Sequence, residues 1–243
     1  MVKKTVLILG ATSDVGKALA TVYNSHGHNL ILAGRNQSDL NAQLSTMPLK
    51  ENVSIALFDA RNFDQHKAWF NSLPVTPDIA ICVFGYLGDQ TKAMDHWREA
   101  QTIIDTNYTG AVSILNVIAE SFQRRKTGVI AGISSVGGDR GRQSNFIYGS
   151  AKAGFSAYLS GLRNRLFREG VHVLTVKPGF INTKMTAGLK LPKPITASPT
   201  QVAERIYKSI DRKKNVIYVL PIWFWIMLII KSIPEFLFKR LKL

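Results

Sequence analysis

The chain has 243 residues, 46% of them hydrophobic and 19% charged, which suits one sizeable α/β domain and argues against a disordered chain. Its formal charge of +15 is uneven: residues 1–120 hold 9 Lys/Arg against 11 Asp/Glu, whereas residues 121–243 hold 22 against 5. An anionic partner is expected for the second half, and a membrane surface suits it better than nucleic acid, because the cations do not form one run with interleaved aromatics.

The N-terminus, Met1-Val2-Lys3-Lys4, leads only to the short apolar stretch Val6 to Leu9. That is too short for a signal-peptide core, so a cytoplasmic location is expected. Short apolar runs then alternate with helical patterns. Strands are predicted at 5–9, 29–33, 53–58, 79–84, 128–133, 171–176 and 216–220, and helices at 15–26, 97–122, 147–169 and 199–212. Uninterrupted apolar runs of this length suit strands buried on both faces. The last helix opens Ser198-Pro199-Thr200-Gln201, a capping box with proline at the first helical position. Cys82, the single cysteine, sits in the run 79–84, which excludes an internal disulfide or a thiolate metal cage and suits a reducing compartment. The alternation predicts an α/β fold: one Rossmann-type doubly wound parallel sheet of about seven strands, helices on both faces, ligands outside the carboxyl ends of the strands. Residues 1–220 are assigned to this domain and 221–243 to a C-terminal tail.

Strand 5–9 runs into Gly10-Ala11-Thr12-Ser13-Asp14-Val15-Gly16 and a helix follows. Such a turn lets backbone N–H groups approach a pyrophosphate, with Gly10 allowing the tight turn and Gly16 the close helix. Asp14 stands where many nucleotide loops have glycine. At the end of the second strand Gly34-Arg35-Asn36 offers a cation and no acid, which favours a 2′-phosphate and hence NADP over NAD. Asp59 is placed to accept from the adenine amino group.

Tyr148-Gly149-Ser150-Ala151-Lys152 sets a phenol and an ammonium one helical turn apart. The cation is expected to lower the tyrosine pKa and make Tyr148 a usable acid or base. Ser135, in Ile133-Ser134-Ser135 at the end of strand 128–133, can hydrogen-bond a carbonyl that gains negative charge.

Together with Pro178-Gly179 after a later strand, this order of motifs resembles the short-chain dehydrogenase/reductase family over residues 1 to about 220. The resemblance implies hydride transfer between a nicotinamide and a carbonyl. It implies Tyr148 as proton donor, Lys152 as its ribose-binding partner, Ser135 as carbonyl polariser and Asn107 as holder of a relay water. Gly85, Pro178, Gly179, Ile181 and Thr183 would join the cofactor set. Two departures stand out: Asp14 for the middle glycine, and Cys82-Val83-Phe84-Gly85 where Asn-Asn-Ala-Gly is usual. Phe84 to Asp89, Asn107-Tyr108-Thr109, Asn145 to Ser150, Gly138 to Arg142 and Ile233 to Arg240 are further similar to decaprenylphosphoryl 2-keto-pentose (2-keto-ribose) reductases of cell-wall arabinan precursor synthesis. That likeness implies a polyprenyl-phosphate keto-sugar as substrate and a separate oxidase partner in an epimerising pair. In the wider family, helices 97–122 and 147–169 pair subunits into a homo-oligomer.

From Val216 to Ile230 fifteen residues carry no charge, and Lys231, Lys239, Arg240 and Lys242 follow among apolar residues. The run is short for a membrane span, which needs about 20 residues. Tryptophans and a cationic amphipathic end suit a helix in the headgroup layer of the inner membrane, the alternative being a dimerisation or core-covering helix. Arg140, Arg142, Lys184, Lys190 and Lys193 are candidates for holding a lipid phosphate. The rival substrate is an apolar long-chain or steroid-like ketone, and the rival function an inactive cofactor-binding scaffold, which would need none of the four catalytic residues.

Overall fold

The computed structural model of the protein describes residues 2–242. Its strands, in chain order, are β1 (Thr5–Leu9), β2 (Asn29–Gly34), β3 (Val53–Leu57), β4 (Ile79–Cys82), β5 (Gly128–Ile133), β6 (Val171–Lys177), β7 (Phe180–Ile181), β8 (Thr196–Ala197) and β9 (Val216–Tyr218). Seven form one sheet in the order β3-β2-β1-β4-β5-β6-β9, and β7 pairs with β8 apart from it. Every pairing is parallel. The helices are α1 (Asp14–Ser25), α2 (Gln37–Ser45), α3 (His66–Asn71), α4 (Gln90–Asp95), α5 (Trp97–Ile104), α6 (Gly110–Arg125), α7 (Phe146–Leu166), α8 (Pro199–Asp211), α9 (Ile222–Ser232) and α10 (Glu235–Phe238).

Strand β1 shows why the apolar runs are uninterrupted. Val6 and Ile8 pack against Leu19 and Tyr23 of α1 and Val202 and Ile206 of α8. Leu7 and Leu9 point the other way, onto Ile114 and Phe122 of α6 and Phe155 and Leu159 of α7. Successive side chains of a strand face opposite sides, so a sheet covered twice has no polar face.

Three expectations are corrected. Strand 79–84 ends at Cys82, because the N–H groups of Val83 and Phe84 both turn to the Leu9 carbonyl, at 2.9 and 3.1 Å. The helix expected at 97–122 is interrupted by a π-helical turn over Asp105–Thr109 and runs on to Arg125. The segment after residue 220 is not wholly a separate tail: one face of α9 is built into the domain. Trp223 and Met227 are buried against Val136, with Phe180, Ile195 and Tyr218 packed around them. The Trp223 indole N–H donates to the Ile195 carbonyl at 3.0 Å. The opposite face stays open, with Trp225 62% and Ile229 67% exposed. No described helix is long and apolar enough to cross a membrane.

Arg140 fastens the far end of α9. Its Nη1 donates to the carbonyls of Ile230 and Ile233, both at 2.6 Å, and its Nη2 to the Glu235 carboxylate at 2.9 Å. The guanidinium also lies over the Phe238 ring. Carbonyls at a helix C-terminus have no partner within the helix, so the cation answers a need the helix creates. Arg140→Ala is expected to cost about 2–3 kcal/mol, since hydrogen bonds to charged groups contribute ~1.5–3 kcal/mol and the exposed Glu235 pair adds little. A lower urea midpoint at unchanged slope, with faster hydrogen exchange over 222–238, checks it.

Candidate active site

The strand order reverses at β1 and β4, and a doubly wound sheet binds ligands outside the carboxyl ends of the strands at such a point. A cleft of about 290 Å³ lies there. Its floor is the turn from β1 to α1. Gly10 has φ +93°, and a Cβ on it would come within 2.7 Å of the Phe84 backbone. A Cβ on Gly16 would lie 2.4 Å from the Gly10 carbonyl oxygen. Both positions therefore demand glycine, and both lie behind the cleft rather than on its surface. Ser13 caps α1: its Oγ accepts from the Gly16 N–H at 3.0 Å and donates to the Gly10 carbonyl at 2.8 Å. Thr12, Ser13, Asp14 and Val15 line the cleft, so the first N–H groups of α1, which have no partner within the helix, lie at its wall.

Asp14 has a task of its own. Its Oδ2 accepts from the Lys184 backbone N–H at 2.7 Å, joining the nucleotide-type turn to the segment after Thr183. That segment is ordered by a capping box of Thr183 and Thr186 and framed by β7 and β8.

The catalytic end is built by the packing of α7 onto the segment that leaves β5. A Cβ on Gly138 would come within 2.7 Å of the Lys152–Ala153 backbone, and one on Gly149 within 2.9 Å of the Gly137 carbonyl. Ser134 locks the contact, its Oγ donating to the Lys152 carbonyl at 2.9 Å and lying 2.7 Å from the Ser156 hydroxyl. Ser135, Tyr148 and Lys152 thereby share the cleft with Gly85, Pro178, Gly179, Ile181 and Thr183. Lys152 is buried and its Nζ donates to the Ile133 carbonyl at 2.9 Å. Asn107 sits in the π-helical turn, a feature frequent at functional sites. Its amide donates to the carbonyls of Tyr86 and Ile103, at 2.6 and 2.8 Å. It braces the chain leaving β4, and its Oδ1 is what a Cβ on Gly85 would strike, at 2.9 Å.

Electrostatics reverse one expectation. Burial pushes the Tyr148 phenol up to about 12, with a hydrogen bond to Ser135 pulling the other way. Lys152 does not draw the phenol down: its Nζ stands 5.8 Å from the Tyr148 ring centre and serves the Ile133 carbonyl instead. Burial likewise drives Lys152 itself down, to about 8. Desolvation, which disfavours each charged form, is the largest cause at both groups. Tyr148 is thus a group that holds its proton at neutral pH, and Lys152 one that loses its charge in the mildly alkaline range. Cys82, buried beside them, is pushed up to about 12 and is no nucleophile.

The remaining expected residues divide. Arg142 and Lys184 line the cleft, whereas Arg140 is committed to α9 and α10, and Lys190 and Lys193 are exposed away from it. Arg35 and Asp59 are exposed at the carboxyl ends of β2 and β3, where Asp59 accepts from the Arg61 N–H at 2.9 Å. Leu87, Asn145, Met185, Leu189 and Trp223 are among the further residues that line the cleft and were not anticipated as site residues. For Asn145 a signal existed, three positions before Tyr148; for Trp223 none did. Arg142 Nε and Asn145 Oδ1 are buried without a hydrogen-bond partner.

A glycine-turned helix start at the reversal of a parallel sheet, facing a serine, a tyrosine and a lysine, defines a dinucleotide-dependent oxidoreductase. The chain belongs to the short-chain dehydrogenase family, whose model matches residues 4–193. An uncharacterized oxidoreductase of Mycobacterium tuberculosis is 31% identical over 241 residues, covering 97% of this chain and 96% of the relative. A ketoacyl reductase of Nostoc is 29% identical over 224 residues, 89% of this chain and 78% of that protein. Among solved structures, a short-chain dehydrogenase from Sphingobium yanoikuyae in complex with NADPH shares the fold, with a TM-score of 0.82 and 22% identity over 96% of this chain and 97% of that one.

Asp14→Ala should release the segment after Thr183 while leaving the Ser13 cap intact. Trypsin cleavage after Lys184 and Lys190 is expected to accelerate at least about fivefold, since removing roughly one kilocalorie of charge-assisted hydrogen bonding raises local opening by that order. Limited proteolysis read by mass spectrometry checks it.

Proposed function

We propose that the protein is an NADP-dependent ketoreductase that reduces a keto-sugar carried on a polyprenyl phosphate, at the cytoplasmic face of the inner membrane. The observation that carries the reaction is the convergence of Ser135, Tyr148 and Lys152 on the cleft at the sheet reversal. Residues fitting a dinucleotide are present: the glycine-forced turn and the α1 start for the pyrophosphate, Arg35 for a 2′-phosphate, Asp59 for the adenine, and Lys152 for the nicotinamide ribose. The related fold solved with NADPH supports the same cofactor.

NADPH, when bound, supplies the hydride that the carbonyl carbon accepts. Ser135 polarises the carbonyl by hydrogen bonding to its oxygen. Tyr148, with its proton held well above neutral pH, delivers that proton to the oxygen as negative charge grows there. Lys152 contributes positive charge below about 8, and Asn107 keeps the β4 exit in register and is assigned the relay water.

For the substrate, Arg142 is the telling residue. A guanidinium with a buried, unpartnered Nε in a cleft whose walls include Leu87, Met185, Leu189 and Trp223 suits a ligand with an anion on an apolar carrier, with Lys184 as the second cation. The phosphate set narrows to these two, because Arg140 is spent on the tail. The open face of α9, beside Lys231, Lys239, Arg240 and Lys242, would lie on an anionic membrane where such a substrate resides. The ketone would come from an oxidase acting on the corresponding alcohol, and subunits would pair through α5, α6 and α7. The apolar walls also favour a second reading, an apolar long-chain ketone.

With membrane lipid extract, Tyr148→Phe is expected to lower NADPH oxidation by at least ~10²-fold, the usual worth of a positioned proton donor, while NADPH still binds by fluorescence titration. Turnover of the wild type should fall as pH rises through about 8, since Lys152 is charged below that value and neutral above it; a flat profile to pH 10 would contradict the role given to Lys152. Arg142→Ala should raise KM for a polyprenyl-phosphate keto-sugar at least about tenfold, the loss of one charge-assisted contact, and leave KM for NADPH nearly unchanged. An unaltered lipid KM would transfer the assignment to the apolar ketone.

A further inference from the structure

The segment following Ser135 and helix α9 form one body. Trp223 lies against the loop after β6 so closely that a Cβ on Gly179 would come within 1.9 Å of its ring. It packs edge-on with Phe180, ring centres 5.4 Å apart, and its indole N–H holds the Ile195 carbonyl at the end of the segment after Thr183, which lines the cleft through residues 183–186 and Leu189. One turn on, Met227 is fully buried and its Sδ accepts from Arg142 Nη2 at 3.1 Å. Arg140 anchors the last turn of the same helix. The indole therefore touches the loop after β6, the end of the segment after Thr183 and the cleft itself, while Trp225, two positions on, faces outward.

Resting on the reductase reading above, we infer that α9 is the specificity wall of the active site and that Trp223 sets how large a group fits beside the reacting carbonyl. The indole fills space that a smaller side chain would open to substrate, because neither Gly179 behind it nor the clamped helix can move in to close the gap.

The test uses two carbonyl probes without phosphate, 2,3-butanedione and 9,10-phenanthrenequinone, with the full-length chain and NADPH. The readout is the ratio of kcat/KM for the large probe to that for the small one, which cancels any change in cofactor affinity. Binding of each probe is also followed by quenching of bound NADPH fluorescence, so that an affinity ratio is obtained where turnover is slow. Trp223→Ala is expected to raise the ratio at least tenfold in favour of the quinone, Trp223→Phe about threefold, and Trp225→Ala, on the open face, not at all. If the alanine variant does not fold, the phenylalanine variant against Trp225→Ala decides. A ratio that stays within 1.5-fold in every folded Trp223 variant, or a wild type that binds neither probe, overturns the inference. Probe turnover that survives Tyr148→Phe overturns the reductase reading instead, and failure of the polyprenyl substrate leaves the ratio untouched.

Discussion

Lys152 is 4% exposed, and its ammonium donates to a main-chain carbonyl, that of Ile133, at 2.9 Å. Taking a cation out of water costs several kcal/mol unless polar groups receive it, and the catalytic end is arranged around meeting that cost. Glycine at 138 and 149 lets α7 approach the segment leaving β5 at backbone contact, and Ser134 bonds the two together. Once the helix is seated, Tyr148 is one turn earlier on it and Ser135 is the next residue after the lock. The placement of Ser135, Tyr148 and Lys152 thus follows from how one charge is buried. The same burial drives Lys152 towards neutrality and the Tyr148 phenol towards retaining its proton, which suits a group that gives a proton during reduction.

What the amino-acid order discloses is what local physics decides. The central sheet strands were legible because burial on both faces leaves them mostly apolar, as in β1 and β4; edge strand β3, with Ser54 exposed and none of its residues fully buried, carries that signal more weakly. The strand ends were less legible: β4 stops at Cys82 because the next two N–H groups are captured by Leu9, a neighbour more than seventy positions away. Helix α2 buries only Leu40 and Gln43, and α4 only Ala93, so neither carries an apolar period to find. The tyrosine, lysine and serine were legible as a one-turn spacing and a strand end. Their proton affinities were not, because the sign turned on depth of burial. Arg140 and Arg142 stand two positions apart and looked alike, yet one caps a helix end some ninety residues on and the other lines the cleft. Only the tertiary path of α9 separates them.

Helix α9 is apolar on every side, a pattern that ordinarily marks a helix buried all round. Here Trp223 and Met227 cover the inner layer, while Phe224, Trp225, Leu228 and Ile229 are each at least 45% exposed. Contiguous apolar surface of this kind marks an interaction site. Residues 199–242 hold 9 Lys/Arg against 3 Asp/Glu, so the field around that face favours an anionic counterpart. A single helix would then carry two recognitions, one through its inner stripe and one through its outer, and its C-terminal clamp by Arg140 keeps both in register.

Asp14 shows how a departure from a loop pattern is accommodated. A carboxylate in an anion-binding turn would repel a pyrophosphate if it pointed into the site unanswered. Two features temper it. It opens α1, where the helix dipole favours a negative charge, and its Oδ2 is engaged by the Lys184 N–H. The acid that stands in for glycine therefore ties the β1–α1 turn to the segment after Thr183, across 170 positions of chain. Arg140 to Ile230 and Trp223 to Ile195 make comparable long-range ties. Each wall of the cleft is held by a segment distant in sequence, so the cleft takes its shape only when the sheet, the covering segment and α9 have all docked.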